Sequence, residues 1–257
     1  MNQLLSGKNI LIMGVANKRS IAFSIALSLY KAGARLIFTY QNEKFEKNIL
    51  DLTEDMKDSL FFQCDITKDE DIKSLFINLR EEIDVIHGVI HSIAYAKVDE
   101  LQGRYINTSR DGYLMAQEIS SYSLVAVARE AETLMIDGGS IITLTYLGGE
   151  RVVKNYNVMG VAKAALESSV KYLANDMGIN NIRVNAISAG PIRTLSAKGV
   201  KDFKDILTEI EEKSPLRRTT DPSEVGDTAL FLISNLSRGI TGEVIHVDSG
   251  YHILGVM

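Results

Sequence analysis

The fold is decided by residues 9–22, which read Asn9-Ile10-Leu11-Ile12-Met13-Gly14-Val15-Ala16-Asn17-Lys18-Arg19-Ser20-Ile21-Ala22. The stretch opens on an apolar run of strand length and continues through a short polar loop. After Ser20, the apolar residues Ile21, Ile25 and Leu29 recur at helical spacing until Gly33. This pattern predicts a buried strand, a tight turn and an amphipathic helix.

The same alternation continues along the chain. We predict further strands at 35–40, 60–64, 85–91, 140–146, 182–187 and 244–247, and further helices at about 43–57, 69–82, 110–135 and 156–177. Apolar strands separated by helices indicate a parallel sheet with helices on both faces. The expected architecture is a single α/β domain over 1–257, a Rossmann-like doubly wound parallel sheet of about seven strands.

Composition excludes several classes of protein. The 257 residues carry a net charge of −5, which argues against binding to nucleic acid. No apolar run approaches the ~20 residues of a membrane helix, and no secretory signal is visible. The one cysteine, Cys64, follows an apolar run and is expected to be a buried thiol. The histidines lack metal-ligand spacing, so we expect a cytoplasmic protein without a metal site.

The loop of residues 14–22 is the first candidate binding site. Ligands of such sheets bind outside the carboxyl ends of the strands, where a helix N-terminus offers free N–H groups to a pyrophosphate. Gly14 permits the turn, and Ser20 is suited either to capping the helix or to bonding a phosphate oxygen. The usual G-x-G-x-x-G pattern is absent, so an ordinary strand–helix loop remains the alternative.

The end of the second strand bears on the choice of cofactor. A 2′-phosphate would call for an arginine, but Gln41 and Asn42 are neutral amides and Lys44 is the nearest cation. The expected acidic residue is also missing. The sequence therefore favours NADH, with NADPH as the alternative. Asp65 and Ile66 follow the third strand, where they are placed either to meet the adenine or to cap a helix before Thr67.

The candidate catalytic pair is Tyr156 and Lys163. Their separation of seven positions is nearly two helical turns, which places both side chains on one helix face with Cα atoms ~10.5 Å apart. A tyrosine hydroxyl can donate a proton or bond an oxyanion, and a nearby ammonium can lower the tyrosine pKa and bond a ribose. The alternative is a solvated helix face.

Three segments carry a family resemblance: Tyr146-Leu147-Gly148-Gly149-Glu150, Tyr156-Asn157-Val158-Met159-Gly160-Val161-Ala162-Lys163 and Arg183-Val184-Asn185-Ala186-Ile187-Ser188-Ala189-Gly190-Pro191-Ile192-Arg193-Thr194-Leu195. They closely resemble the FabI-type enoyl-(acyl-carrier-protein) reductases, a divergent branch of the short-chain dehydrogenase/reductase superfamily. Residues 14–22, 91–94 and 119–123 match the same branch. Ketoreductases of the superfamily carry lysine four positions after tyrosine, where this chain has Gly160.

The resemblance implies an NADH-dependent conjugate reduction of trans-2-enoyl-(acyl carrier protein) to acyl-(acyl carrier protein) in type II fatty-acid biosynthesis. Tyr156 would hydrogen-bond the thioester oxygen, and Lys163 would hold the nicotinamide ribose. Tyr146 would line the acyl pocket; its alternative role is a packing aromatic at a strand end. The competing functions are a carbonyl (3-ketoacyl) reductase and a catalytically silent dinucleotide sensor.

The resemblance also implies contacts for both ligands. Cofactor contacts fall on Gly14, Ser20, Ile21, Gln41, Asp65, Ile66, Ile93, Lys163, Ile192, Arg193, Thr194, Leu195 and Ser196. Substrate contacts fall on Ala96, Tyr146, Tyr156, Met159 and Phe203. Residues at about 190–215 would form the substrate-binding loop and helix that close over the cofactor.

The expected partners are the acyl carrier protein and further copies of the chain. Lys201 and Lys204 are candidates for docking the acidic carrier protein; a solvated helix face balanced by Asp202 and Asp205 is the alternative. The resemblance implies a homotetramer, with the helices near 110–135 and 156–177 packing between subunits.

Overall fold

A seven-stranded parallel sheet with the strand order β3-β2-β1-β4-β5-β6-β7 organises the computed structural model, which describes residues 3–192 and 203–255. The strands are β1 (Asn9–Met13), β2 (Arg35–Tyr40), β3 (Leu60–Gln63), β4 (Gly88–His91), β5 (Gly139–Thr145), β6 (Ile182–Ala189) and β7 (Val244–Val247). Every neighbouring pair is parallel. The predicted fold class is confirmed.

Helices cover both faces of the sheet. They are α1 (Ile21–Lys31), α2 (Glu43–Leu52), α3 (Asp69–Glu82), α4 (Val98–Leu101), α5 (Arg110–Gln117), α6 (Ser123–Glu132), α7 (Asn157–Met177), α8 (Phe203–Lys213) and α9 (Pro222–Ile233). None of the helices in the described part of the chain is long and apolar enough to cross a membrane.

Strand β1 shows how the core is divided. Its side chains alternate between two hydrophobic clusters, because successive residues of a strand point to opposite faces. Leu11 and Met13 pack with residues of α3, α6 and α7, whereas Ile10 and Ile12 pack with residues of α1 and α9. The parallel sheet is therefore buried on both sides, as its near-continuous apolar strands predict.

The predicted helix over 110–135 is wrong in two respects. It is divided by a π-helical turn, Glu118–Tyr122, and its last helical residue is Glu132. The Ser123 hydroxyl donates to the carbonyl of Ile119 at 2.7 Å, and the Ser123 amide donates to Glu118, five residues back. A serine side chain that takes the carbonyl four residues back competes with the helical ladder, which explains the local change of register.

Two other element boundaries differ from the prediction, and one helix was not predicted. Helix α2 ends at Leu52 rather than near 57, and β4 begins at Gly88 rather than at 85. Helix α9 was not predicted. Its start has a clear local signal, because Asp221 and Glu224 form a capping box around Pro222 at the first turn.

Candidate active site

The strand order reverses between β1 and β4, so a crevice opens where these two strands end. Gly14 ends β1 in a left-handed conformation, with φ +93°, and a Cβ added there would run into the backbone carbonyl of Ser92. Only glycine allows the two loops to approach this closely. The close approach of these two loops beside the crevice therefore depends on glycine at position 14.

Ser20 caps the helix that begins beside this crevice. Its side chain accepts from the Phe23 amide at 3.3 Å and donates to the Asn17 carbonyl at 2.7 Å. The capping role considered for Ser20 is thus present. The loop, the free amides of the first turn and the helix dipole fit a pyrophosphate, which is the group that a dinucleotide would present here.

Acidic side chains surround the end of β2. The Tyr40 hydroxyl donates to Glu46 at 3.1 Å, and the pKa of Tyr40 is raised by burial and by the nearby carboxylates of Glu46 and Glu43. Asn42 caps α2 by accepting from the amide of Lys44. A 2′-phosphate placed beside the Tyr40 hydroxyl would meet the carboxylates of Glu46 and Glu43, with Lys44 between them in the chain.

The end of β3 is joined to the end of β2 by side chains. Asp65 accepts from the amide and hydroxyl of Thr67, at 3.1 and 2.8 Å. Burial favours a higher pKa for Asp65, but these hydrogen bonds and one from Gln41 outweigh it and lower the pKa. The Asp65 carboxylate thus stabilises the turn before α3 and also accepts a hydrogen bond from Gln41. Ile66 and Ile93 lie partly buried against the same core cluster.

Tyr156 and Tyr146 lie in edge-to-face contact, with ring centroids 5.0 Å apart and ring planes at 70°. Burial raises the pKa of Tyr156, and Tyr146 and Glu167 raise it further. Burial also raises the pKa of Tyr146. Both hydroxyls therefore keep their protons at neutral pH. The sequence-based expectation that a nearby ammonium lowers the pKa of Tyr156 is therefore wrong, because burial raises it.

Lys163 is buried on α7, one turn before Glu167. Its ammonium donates to the carbonyl of Leu144 at 2.7 Å, at the carboxyl end of β5. Burial lowers the pKa of Lys163 to about 8, against the opposing effect of Glu167. Glu167 is itself buried, which raises its pKa, and it accepts from the Thr145 hydroxyl at 2.6 Å. Sequence reasoning missed Glu167, although a glutamate on the apolar face of a helix was a visible signal.

A neutral histidine lies beneath the site. His91 is fully buried; its Nδ1 lies 3.0 Å from the Thr143 hydroxyl and its Nε2 2.9 Å from the Ser123 hydroxyl. Both hydroxyls also donate to backbone carbonyls, Ser123 to that of Ile119 at 2.7 Å and Thr143 to that of His91 at 3.2 Å. Burial, and then the charge of Lys163, lower the pKa of His91 to about 3. The sequence already showed this pair, because His91 and Thr143 are polar residues inside the apolar strands β4 and β5.

The predicted substrate residues come together in two apolar clusters. Ala96 and Tyr156 pack with the buried Met159, and Tyr146 packs with Ile210 of α8 and with Tyr251. The edge-to-face contact of the two tyrosines joins the clusters. Ile192 is buried against the core on the α1 side. The predictions for Arg193, Thr194, Leu195, Ser196 and Lys201, and for the side chains of Phe203 and Lys204, lie outside the described residues.

The fold and the site define a class. A doubly wound sheet with an open turn at its switch point, and a buried tyrosine and lysine beyond β5, is the arrangement of a nicotinamide-dependent oxidoreductase. In the described ranges, 3–192 and 203–255, no three or more His, Cys, Asp or Glu residues gather as metal ligands.

Comparisons with known proteins narrow this class. The family model described as Enoyl-(Acyl carrier protein) reductase matches residues 14–252. The chain belongs to this family. It is 64% identical to the enoyl-(acyl-carrier-protein) reductase (NADH) FabI of Bacillus cereus, over 98% of this chain and 100% of the relative. It is 56% identical to the NADPH counterpart of Staphylococcus aureus, over 97% and 98% of the two chains.

Solved structures agree with this assignment. The crystal structure of the Bacillus cereus enoyl-acyl carrier protein reductase with NADP+ and indole naphthyridinone matches with a TM-score of 0.97 at 64% identity, over 99% of this chain and 100% of that one. The Aquifex aeolicus enoyl-(acyl-carrier-protein) reductase (NADH) matches with a TM-score of 0.95 at 48% identity, over 99% and 100% of the two chains.

Proposed function

We propose that this chain reduces trans-2-enoyl-(acyl carrier protein) to acyl-(acyl carrier protein) with NADH, in the elongation cycle of type II fatty-acid biosynthesis. The observation that carries the proposal is the Tyr156 hydroxyl, which is held protonated against Tyr146 beside an apolar cluster. The family to which the chain belongs favours the same reaction. One dinucleotide-binding domain over 1–257, with its substrate-binding loop and helix at about 190–215, performs the whole reaction.

The chain's own residues act on the substrate and position the cofactor. When bound, NADH supplies the hydride for the β-carbon of the enoyl thioester. Tyr156 donates a hydrogen bond to the thioester oxygen as negative charge develops there, and protonation of the α-carbon completes the saturated chain. Tyr156 suits this role because its hydroxyl is protonated at neutral pH and its ring packs in the apolar cluster that contains Ala96 and Met159. Ala96, Met159 and Tyr146 contact the acyl part.

We assign Lys163 to the ribose hydroxyls. Its ammonium already lies at the carboxyl edge of the sheet, bonded to Leu144, and it remains charged below pH about 8. Gly14, Ser20 and Ile21 hold the pyrophosphate, and Gln41, Asp65, Ile66 and Ile93 hold the adenosine half. Ile192, Arg193, Thr194, Leu195 and Ser196 complete the contacts. Relatives that use NADH and NADPH both occur; the carboxylates of Glu43 and Glu46 favour NADH here.

Turnover of two thioesters, each with NADH and with NADPH, tests this function. We expect oxidation of NADH with crotonyl-coenzyme A and none with acetoacetyl-coenzyme A. The opposite pattern would identify a carbonyl reductase. Binding of NADH without turnover of either substrate would identify a dinucleotide sensor. Faster turnover with NADPH would overturn the cofactor assignment alone.

We also propose that Lys201 and Lys204 dock the carrier protein by charge attraction. A variant with both lysines changed to glutamate should lose activity on crotonyl-(acyl carrier protein) and keep it on crotonyl-coenzyme A. Lys57, exposed after α2 and outside the helices assigned to subunit contacts, offers the charge-reversal control. Equal loss on both substrates would contradict the docking role.

We further propose that the chain assembles as a homotetramer in the cytoplasm. Leu114 on α5 and Tyr172 on α7 are large apolar side chains exposed on the two helices assigned to subunit contacts. Light scattering coupled to size-exclusion chromatography should give four times the chain mass of 28.4 kDa. A monomeric mass would overturn the assignment.

A further inference from the structure

The loop that follows β4 leads from the cofactor crevice to the apolar cluster of the substrate. It begins at Ser92, whose amide donates to the carbonyl of Met13 at the end of β1. It then reaches Ala96, which packs in the cluster that contains Tyr156 and Met159. The path of this loop therefore sets where Ala96 stands relative to the Tyr156 ring.

A single side chain fastens the loop just before Ala96. Ser120 accepts from the Tyr95 amide at 2.9 Å and is placed to donate to the Tyr95 carbonyl at 3.1 Å. The Tyr95 ring is 51% exposed, so its own packing holds the backbone only weakly. Ser120 is fully buried, and its position is therefore well defined. The backbone of the loop is therefore held by Ser120, a residue 25 positions further along the chain.

The π-helical turn explains why Ser120 reaches this loop. The turn is stabilised by the Ser123 hydroxyl, which donates to the Ile119 carbonyl and lies 2.9 Å from Nε2 of His91 at the end of β4. Ser120 in the turn contacts the loop after β4, and Ser123, the residue that follows the turn, contacts the end of β4. The turn also packs against α7, the helix that carries Lys163. π-Turns are rare inside α-helices and occur often at functional sites.

We infer that Ser120 is a positioning residue for the enoyl thioester, because its two hydrogen bonds to the Tyr95 backbone fix the loop on which Ala96 contacts the substrate beside Tyr156. This inference rests on the proposed function. Among the described residues, no hydrogen bond joins Ser120 to Gly14 in the cofactor crevice or to the Lys163 ammonium. Its loss should therefore weaken substrate binding more than cofactor binding or the chemical step.

The test is the Ser120→Ala variant, compared with wild type and with Ser237→Ala. Ser237 is a matched control, because it is also a buried serine whose hydroxyl bonds backbone carbonyls, of Leu232 and Ser234, away from the site. We expect the KM for crotonyl-coenzyme A to rise about threefold to thirtyfold in Ser120→Ala, the range set by the loss of one or two hydrogen bonds. The kcat and the Kd for NADH, measured by fluorescence titration, should change by less than about twofold.

Other outcomes overturn the inference. An unchanged KM, a fall in kcat alone, or a joint rise of KM and of the Kd for NADH would each contradict a substrate-positioning role. If KM rises equally in Ser237→Ala, the rise in Ser120→Ala reports a general loss of packing and not substrate positioning. If the wild type does not turn over crotonyl-coenzyme A at all, the proposed function fails first, and the two failures are thereby distinguished.

Hydrogen–deuterium exchange supplies a measurement that needs no variant. In the wild type without ligand, the Tyr95 amide should exchange at least tenfold more slowly than an unprotected amide, because Ser120 accepts from it. Exchange at the unprotected rate would overturn the inference even if Ser120→Ala failed to fold. In a folded Ser120→Ala protein, the protection of this amide should be lost while that of the β4 amides is kept.

Discussion

Replacing Lys163 with methionine removes a buried ammonium and keeps a side chain of similar length. Burial lowers the pKa of Lys163 from 10.5 to about 8. At ~1.4 kcal/mol per pKa unit, this difference is about 3 kcal/mol against the charged form in the folded protein. The hydrogen bond to the Leu144 carbonyl offsets this by about 1–2 kcal/mol. Lys163→Met without ligand should therefore be at least as stable as the wild type at pH 7.

The pH dependence has a definite sign. A lysine whose folded pKa lies below its unfolded pKa destabilises the folded state at low pH, and this penalty disappears as the pH rises between the two values. The free energy of unfolding of the wild type, relative to that of Lys163→Met, should thus increase by about 2–3 kcal/mol between pH 7 and pH 10. The difference between the two proteins cancels the titration of groups that do not interact with Lys163; Glu167 and His91 do interact with it.

The assay is urea unfolding of the ligand-free proteins at several pH values and one protein concentration, together with NADH titration. Lys57→Met, at an exposed position outside the helices assigned to subunit contacts, is the control, and its difference from wild type should not vary in this way. The Kd for NADH should rise at least about tenfold in Lys163→Met, as expected for lost hydrogen bonds to a charged group. Parallel stability curves would refute the burial argument, and an unchanged Kd would refute the ribose role.

Three further predictions follow from the same geometry. Tyr156→Phe should lower kcat on crotonyl-coenzyme A about 100-fold with the Kd for NADH unchanged, because only the donor hydroxyl is lost; unaltered kcat would contradict its role. Gly14→Ala should lower the melting temperature by about 4–8 °C and weaken NADH binding, because φ is +93° and the new Cβ meets the Ser92 carbonyl. A melting temperature equal to that of the wild type would argue against the close approach of the two loops. Cys64 is buried, and its pKa is raised to about 12 by burial and by Asp71 and Asp65. The native protein should therefore resist labelling by iodoacetamide at pH 8, with urea-unfolded protein as the control. Rapid labelling of the native protein, detected by mass spectrometry, would contradict this.

Local pattern was sufficient for much of the fold. The apolar runs identified every strand of the sheet, and periodicity identified α1, α3 and α7 within about a residue or two of their ends. It did not identify the π-turn at Glu118–Tyr122, because that break arises from a competition between the Ser123 hydroxyl and the helix ladder. It also missed α9, whose capping signal at Asp221 was present but not used.

The sequence by itself determined the parallel sheet, the glycine turn at Gly14, and the placement of Tyr156 and Lys163 on one helix, because these depend on spacing along the chain. Only the tertiary structure decided the environment of that pair. It buried Lys163 against Leu144, kept the Tyr156 hydroxyl protonated, and placed Ser120 against Tyr95. Desolvation and long-range hydrogen bonds depend on residues far apart in the chain, and a local pattern does not record which of them meet.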